Sequence, residues 1–536
     1  MASETSANSA VSPQPVVATK GEHSLSVQAD SHEAYRQEFL SRFSAEDDHR
    51  IMRKVDWRFL PLMGFMYLIK QIDFSNAASI KVLQVGESRN VLTELGMTAD
   101  QYNWVQTVYY VCPLVSPMVL EPPIDLLMPF LDSYVIFEIP SNLVLKKFTP
   151  RKFQTRIFFT WGIVVACHAA IQNKEGFYAL RFLLGATEAG FFPGLAAQMC
   201  SWYRSDEYGK PIMWMFAFQN FSGIVGSLLT YGISYMNGVG GLSAWRWVFL
   251  LEGIVTILFS AVIYFILPDY PKSPRSSSWL TPEEQEYLEL RLSDNGPRTA
   301  DAAFDVKEIV ASLKDPKIVG FTASQFFLNI AGYGLSWQLP TITTSLGFAG
   351  LPRNQLLNVP PAAITVIGII AAAWFLRRAY IVRPLFIQIL NVGILTFFIV
   401  LCVPVSKGGT YTACVLGNAF YFVFFVPFWA WRSATLVGTT GTAFTLALQT
   451  SVAQVGGIIA PQVFQSKYAY NGYKTSFIIC TVCVFIAALF NGWPWFLTKG
   501  IETDVMKVRR ARIKAEKKGE VFTGEDVRIK GSRGDA

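Results

Sequence analysis

The chain has 536 residues, 51% of them hydrophobic, 14% aromatic and only 16% charged, against roughly 25% charged residues in a soluble globular protein. So few charges over such a length point to a protein that lies mostly in lipid. The net charge of +7 sits in loops and in the C-terminal tail, which speaks against a nucleic-acid recognition module.

Residues 1–50 begin with a polar stretch rich in Ser, Ala and Val and without an apolar core, expected to be a disordered cytosolic tail rather than a secretory signal. A first apolar run covers 58–80 and contains Lys70, Gln71, Asp73 and Asn76. The second, 102–145, is interrupted between Tyr110 and Tyr134 by five prolines (113, 117, 122, 123 and 129) and by Glu121, Asp125 and Asp132. An interior proline costs a helix about 3 kcal/mol. Without residues 111–133, Tyr102–Tyr110 joins Tyr134–Leu145 as one span of about 21 residues, long enough to cross a bilayer. Two explanations stand: an insertion such as a retained short intron, or a real extracellular excursion.

Runs at 157–172 and 177–200 follow. The latter carries Arg181 and Glu188, about 10 Å apart along a continuous helix and almost on one face. A full charge at the membrane centre costs on the order of 2.5–3.5 kcal/mol, so such residues usually face a polar interior. A cation and an acid stacked over two turns suit a path for a charged solute and a proton. A buried ion pair between helices, or Arg181 reaching the headgroups, is the alternative.

Runs at 211–235 and 245–267 complete an N-terminal half, 51–267. The polar segment 268–317 is too long for a bare loop. Thr281-Pro-Glu-Glu284 has the form of an N-cap, a first-turn proline and a capping-box glutamate. The helix it starts, and a second over 304–313, are expected to lie on the cytosolic membrane surface and to tether the two halves. A second set of six runs occupies 318–497: 318–340, 360–376, 385–405, 411–428, 440–465 and 475–497. Asn329, Tyr333 and Trp337 recur at i+4 spacing on the first of these, a wall of amide and aromatic groups. Asn418 and Tyr421 in the tenth span and Gln449 in the eleventh are further solute-contact candidates, with helix packing through amides as the alternative. Cys480 and Cys483 lie in the last run, where packing is expected. Residues 498–536 form a basic tail.

Two six-span halves joined by a long loop predict an all-α, multi-pass membrane protein with twelve helices in the layout of the major facilitator fold, whose solute site lies between the halves. Lys146, Lys147, Arg151, Lys152 and Arg156, then Arg204, Lys210, Arg377, Arg378, Arg383 and the tail fall on one side. The positive-inside rule makes that side cytosolic, with both termini inside. No P-loop, His-Glu-x-x-His or Gly-x-Ser-x-Gly motif occurs in the sequence, so neither an ATP-driven pump nor a common hydrolase is expected. No cofactor or metal is expected either.

Several stretches resemble the fungal allantoate permease family, in the anion:cation symporter group of the major facilitator superfamily. They include Gln71-Ile-Asp73-Phe-Ser-Asn76, Gln101-Tyr-Asn-Trp104, Phe137-Glu138-Ile-Pro-Ser-Asn142 and Arg181-Phe-Leu-Leu-Gly-Ala-Thr-Glu188-Ala-Gly-Phe-Phe-Pro-Gly194. Ser201-Trp-Tyr203, Ala244-Trp-Arg-Trp-Val-Phe249, Trp279-Leu-Thr-Pro-Glu-Glu284 and Phe428-Trp-Ala-Trp-Arg432 extend the match. The resemblance implies import of a small organic anion or related nutrient (allantoate, nicotinate, pantothenate, other carboxylates) with protons, at the plasma membrane, by a monomer. It also implies proton coupling at Asp73 and Glu188.

Where the family has arginine after the first-span aspartate, this chain has Phe74. Lys70, one turn earlier, is then the nearest cation, expected either to pair with Asp73 or to be freed for the anion when Asp73 is protonated. Arg181 and Lys70 would attract the solute. Glu138, Lys147 and Arg151 would form a cytosolic gate by charge pairing. A nutrient-sensing receptor or non-transporting relative with the same fold is the alternative function.

Overall fold

A computed structural model describes residues 35–110, 149–188, 190–203, 207, 209–292, 312–347, 353–403, 406–433, 435 and 439–518. The anomalous segment 111–133, Glu138 and Lys147 lie outside these residues, as does most of 304–313.

The described chain is helical. In order, the N-terminal elements are α1 (Ala45–Ile80), the short α2 (Val91–Glu94), α3 (Ala99–Tyr110), α4 (Pro150–Cys167), α5 (Lys174–Glu188), α6 (Phe191–Cys200), α7 (Gly209–Ser234) and α8 (Ala244–Ile266). After the linker helix α9 (Pro282–Leu290) come α10 (Pro316–Ser345), α11 (Val359–Arg377), α12 (Arg383–Cys402), α13 (Lys407–Ser433), α14 (Thr439–Val463) and α15 (Lys474–Lys518). Among the described residues, seven helices are both long and apolar enough to cross a bilayer on composition alone; α1, α4, α5 and α14 fall outside that set.

The fourth apolar run is not one helix. It stops at Glu188 and restarts at Phe191, because Gly190 takes a left-handed backbone (φ 89°). Only a residue without a Cβ takes that conformation cheaply. The expectation of an unbroken helix over 177–200 is corrected there, and Glu188 becomes a helix-terminal residue.

Two apolar cores form, one mainly within α1–α9 that also takes in Trp337 of α10, and one within α10–α15. Glycines set the close approaches. A Cβ at Gly253 of α8 would lie 2.5 Å from the backbone nitrogen of Ala166 in α4, and one at Gly332 of α10 would lie 2.0 Å from Tyr421 Cε2. Cys480 and Cys483 are free and buried in α15, as packing residues.

The start of α1 and the linker helix lie together on one face of the bundle, here the termini face. Thr281 caps α9 with both hydrogen bonds of the capping box, through Glu284. Glu284 also binds Lys54 at 2.7 Å, Tyr287 donates to Asp48 at 2.7 Å, and Arg291 pairs with Glu207 and Asp48. Trp279 stacks on Trp202, with ring centroids 5.7 Å apart. Among the described residues, these linker contacts hold α9 to the N-terminal half.

Candidate functional site

Lys70, Asp73, Phe74 and Asn76 fall within two turns of α1, and the helix turns them toward different neighbours. Asp73 and Asn76 meet α8, where Glu252 and Thr256 are four residues apart on one face. The Thr256 hydroxyl donates to Asp73 Oδ2 at 3.0 Å, and Asn76 Nδ2 donates to Glu252 Oε2 at 2.8 Å. Asn76 then accepts at Oδ1 from Arg181 Nη2, at 3.0 Å. The Arg181 side chain is completely buried, and its guanidinium carbon lies 5.5 and 5.3 Å from the ring centroids of Phe177 and Phe249. Among the described residues, its Nε and Nη1 have no hydrogen-bond acceptor. One amide side chain thus links the buried cation of α5 to the buried acid of α8.

Lys70 turns the other way. Its Nζ lies 3.1 Å from Glu188 Oε1 and 4.8 Å from the Phe74 ring centroid. Tyr109 of α3 donates to Glu188 Oε2 at 2.5 Å, and its ring meets Phe74 edge-on at 5.4 Å. The partner of Lys70 is therefore Glu188 rather than Asp73. Because α5 ends at Glu188, the carboxylate lies at the negative end of a helix, where a cation and a hydroxyl donor are the required compensation. Phe74 supplies a face under the ammonium.

Beside this cluster a cavity of about 70 Å³ lies between the halves, lined by Gln71, Phe74 and Ser75 of α1, Gln106 of α3, Tyr333, Ser336 and Trp337 of α10, and Pro461 of α14. Tyr333 and Trp337 thus stand on the wall expected of them. Asn329 does not line it: Nδ2 donates to the Ala453 carbonyl at 3.1 Å and Oδ1 accepts from Tyr421 at 3.1 Å, so Asn329 and Tyr421 join α10, α13 and α14. Asn418 accepts from Ser336 at 3.0 Å, one step behind the cavity wall. Gln449 is fully buried, and both ends of its amide lack a hydrogen-bond partner among the described residues. Arg151 pairs with Asp269 at 3.5 Å and lies over Tyr264, pinning the start of α4 to the end of α8 within one half. His168 is a packed residue, its Nδ1 on the Val164 carbonyl at 2.8 Å and its ring stacked on Phe249.

The face opposite the termini is closed by direct contacts between halves. Trp337 Nε1 donates to Asn103 Oδ1 at 3.0 Å, Asn103 Nδ2 donates to the Phe464 carbonyl at 3.2 Å, and Ser466 donates from its backbone N–H to Asp100 at 2.7 Å. Toward the termini face the halves meet through aromatic rings, Phe192 and Phe216 against Trp429 at 6.1 and 5.9 Å. Arg432 lies over Trp429 at 4.3 Å and donates to Gln325 Oε1 at 3.2 Å; it is fully buried, and among the described residues its Nε and Nη2 lack acceptors.

Glu252, Tyr109 and Arg432 were not among the sequence candidates. Glu252 stands in the apolar run 245–267 and meets the same criterion that selected Glu188: an acid inside a membrane span. Arg432 lies just past its apolar run, in the Phe428-Trp-Ala-Trp-Arg432 stretch, and was not singled out for a role. Tyr109 carried no signal of its own.

Buried charges beside a cavity between two helical halves define a multi-pass integral membrane protein built for passage of a small molecule rather than an enzyme. The Major Facilitator Superfamily model matches residues 63–461, and the chain belongs to that superfamily of transporters. It is 28% identical over 448 residues to the MFS transporter prlL of a fungal species, covering 83% of this chain and 86% of that one. It is 28% identical over 525 residues to the MFS-type transporter cnsO of Penicillium expansum, covering 95% of each. Among solved structures it resembles a bacterial homolog of the human lysosomal transporter Spinster in an inward-facing, occupied conformation. That likeness has a TM-score of 0.55 and 12% identity, covering 83% of this chain and 97% of the other, and concerns the fold.

Proposed function

We propose that the chain is a proton-coupled symporter of a small organic anion or related nutrient, of the allantoate, carboxylate or vitamin-like kind, in line with its resemblance to the allantoate permease family. The observation that carries this is the Lys70–Glu188 pair, 3.1 Å apart, directly behind the Phe74 wall of the cavity. A carboxylate that arrives beside Lys70 competes with Glu188 for the same ammonium. Proton uptake by Glu188 releases Lys70, so anion and proton favour each other's binding. Arg181 sets the field behind this pair, Asp73 is a second proton carrier, and Tyr333 and Trp337 supply the facing wall from the C-terminal half. Both termini are cytosolic in this reading, and the protein imports its solute as a monomer at the plasma membrane.

The test is uptake of labelled carboxylates and ureides into cells expressing the full chain, with and without a protonophore. Accumulation that the protonophore abolishes supports symport. Binding without accumulation would make the protein a receptor instead, and accumulation indifferent to the proton gradient would remove the coupling.

A further inference from the structure

We propose that Glu252, on the face of α8 that meets α1, is a proton-binding site, and that its proton travels with the solute in addition to the one taken up by Glu188. The second clause rests on the symport reading; the first stands without it.

The buried cluster holds three carboxylates, Asp73, Glu188 and Glu252, exposed by 1%, 1% and 6%. Lys70 and Arg181 are the cations that meet them. A carboxylate left without a counter-charge in a membrane interior takes up a proton rather than stay ionised. The contacts decide which one. Glu188 is satisfied, with Lys70 at 3.1 Å and the Tyr109 hydroxyl at 2.5 Å. The hydrogen bond of Arg181 goes to Asn76 rather than to either remaining acid, and Asp73 has the Thr256 hydroxyl. Glu252 has the neutral amide of Asn76 as its donor and no ion pair among the described residues, the position of a buried carboxyl that retains its proton.

Among the described residues, the surrounding groups offer no other counter-charge. On α8, Thr256 donates to Asp73. On α3, Tyr102 donates to the Ala77 carbonyl at 2.7 Å and Tyr109 is held by Glu188. At the end of α4, His168 binds the Val164 carbonyl and stacks on Phe249, the ring that also flanks Arg181.

Asn76 makes the site responsive. It donates to Glu252 and accepts from Arg181 at once, so a change of charge on Glu252 alters the contact that holds α5. Proton gain forms one O–H bond on a carboxylate oxygen, with water as source and sink.

The experiment is infrared spectroscopy of the purified full chain in lipid, in light and heavy water, titrated from acid to alkaline pH. Wild type is expected to show a protonated-carboxyl C=O band at neutral pH that disappears on alkalinisation. Glu252→Gln should lose that band, whereas Asp73→Asn should retain it. Glu188→Gln should retain it. Glu252→Asp should restore the band with a displaced midpoint, which separates a proton site from a purely structural contact. Persistence of the band in Glu252→Gln, or its absence from wild type, overturns the proposal whatever the uptake result. If the band behaves as expected but Glu252→Gln still accumulates solute as steeply as wild type in a protonophore-sensitive way, the proton is resident and not transported, and the second clause fails. Loss of accumulation relative to wild type in that variant, with solute exchange down a gradient retained, supports it.

Discussion

Lys70 of α1 reaches across to Glu188 at the end of α5, 3.1 Å away, and leaves the aspartate on its own helix to a hydroxyl of α8. The pair ties the unbroken first span to the point where the fourth breaks. Removing one partner of a buried ion pair is worth roughly 3–5 kcal/mol, whereas removing both is far less costly. Lys70→Gln is therefore expected to destabilise the detergent-solubilised protein strongly, and Lys70→Gln with Glu188→Gln to recover most of the loss. A thermal-shift double-mutant cycle measures it. Additive effects in that cycle would mean the two side chains do not depend on each other.

A second prediction concerns Gly332. Its α carbon faces Tyr421 so closely that an added Cβ would lie 2.0 Å from the ring, and this approach lets the tyrosine hydroxyl reach Asn329. Overpacking of this kind costs about 1–3 kcal/mol. Gly332→Ala should lower thermal stability by that amount, and Tyr421→Leu in the same chain should relieve part of it. An unchanged melting temperature in Gly332→Ala would show that the two helices move apart freely.

Much of this architecture is legible in the sequence because a bilayer imposes length and apolarity on each span. The runs that become α7, α8, α10, α11 and α12 match their helices to within a few residues. Arg181 and Glu188 were visible for the same reason, as charges where charge is expensive. Their partners were not. Spacing along one helix favoured Lys70 with Asp73, but helix crossing brought Glu188 to Lys70 and Thr256 to Asp73, and crossing angles leave no mark on a single chain. Gly190 looked like any small residue in a membrane helix, although it is where the fourth span breaks. Asn329 and Tyr421 had the right character for solute contact, yet each found the other first.

Glu94 gives a prediction in pH. It lies in the loop helix α2, outside the spans, where burial by itself would raise its pKa. Hydrogen bonds from Ser243, Trp245 and Arg246 outweigh burial and hold the carboxyl below its ordinary value of 4.5. A folded-state pKa below the unfolded one contributes stability above the unfolded value, lost as pH falls through the folded one. Wild type should therefore lose stability on acidification below about 4.3, while Glu94→Gln, weaker by about 1–2 kcal/mol at neutral pH, should respond less in that window. Melting temperatures of both proteins from neutral to acid pH test this; parallel curves would count against it.

Arg432 supplies the last prediction, and its sign is unusual. The side chain is fully buried, lies over Trp429, and has one hydrogen bond, to Gln325, with no carboxylate paired to it among the described residues. A buried charge without a counter-charge weakens a fold, and replacing it with a neutral group of similar volume is neutral or stabilising. Arg432→Gln is therefore expected to leave the melting temperature unchanged or raise it. On the symport reading, the same change should lower uptake of an anionic solute at least several-fold, since the guanidinium lies over Trp429, where Phe192 and Phe216 of the other half meet α13. Stability and uptake then move apart, as they do when a residue is kept for function at the expense of the fold. A drop in melting temperature with normal uptake would show instead that Arg432 is a structural residue.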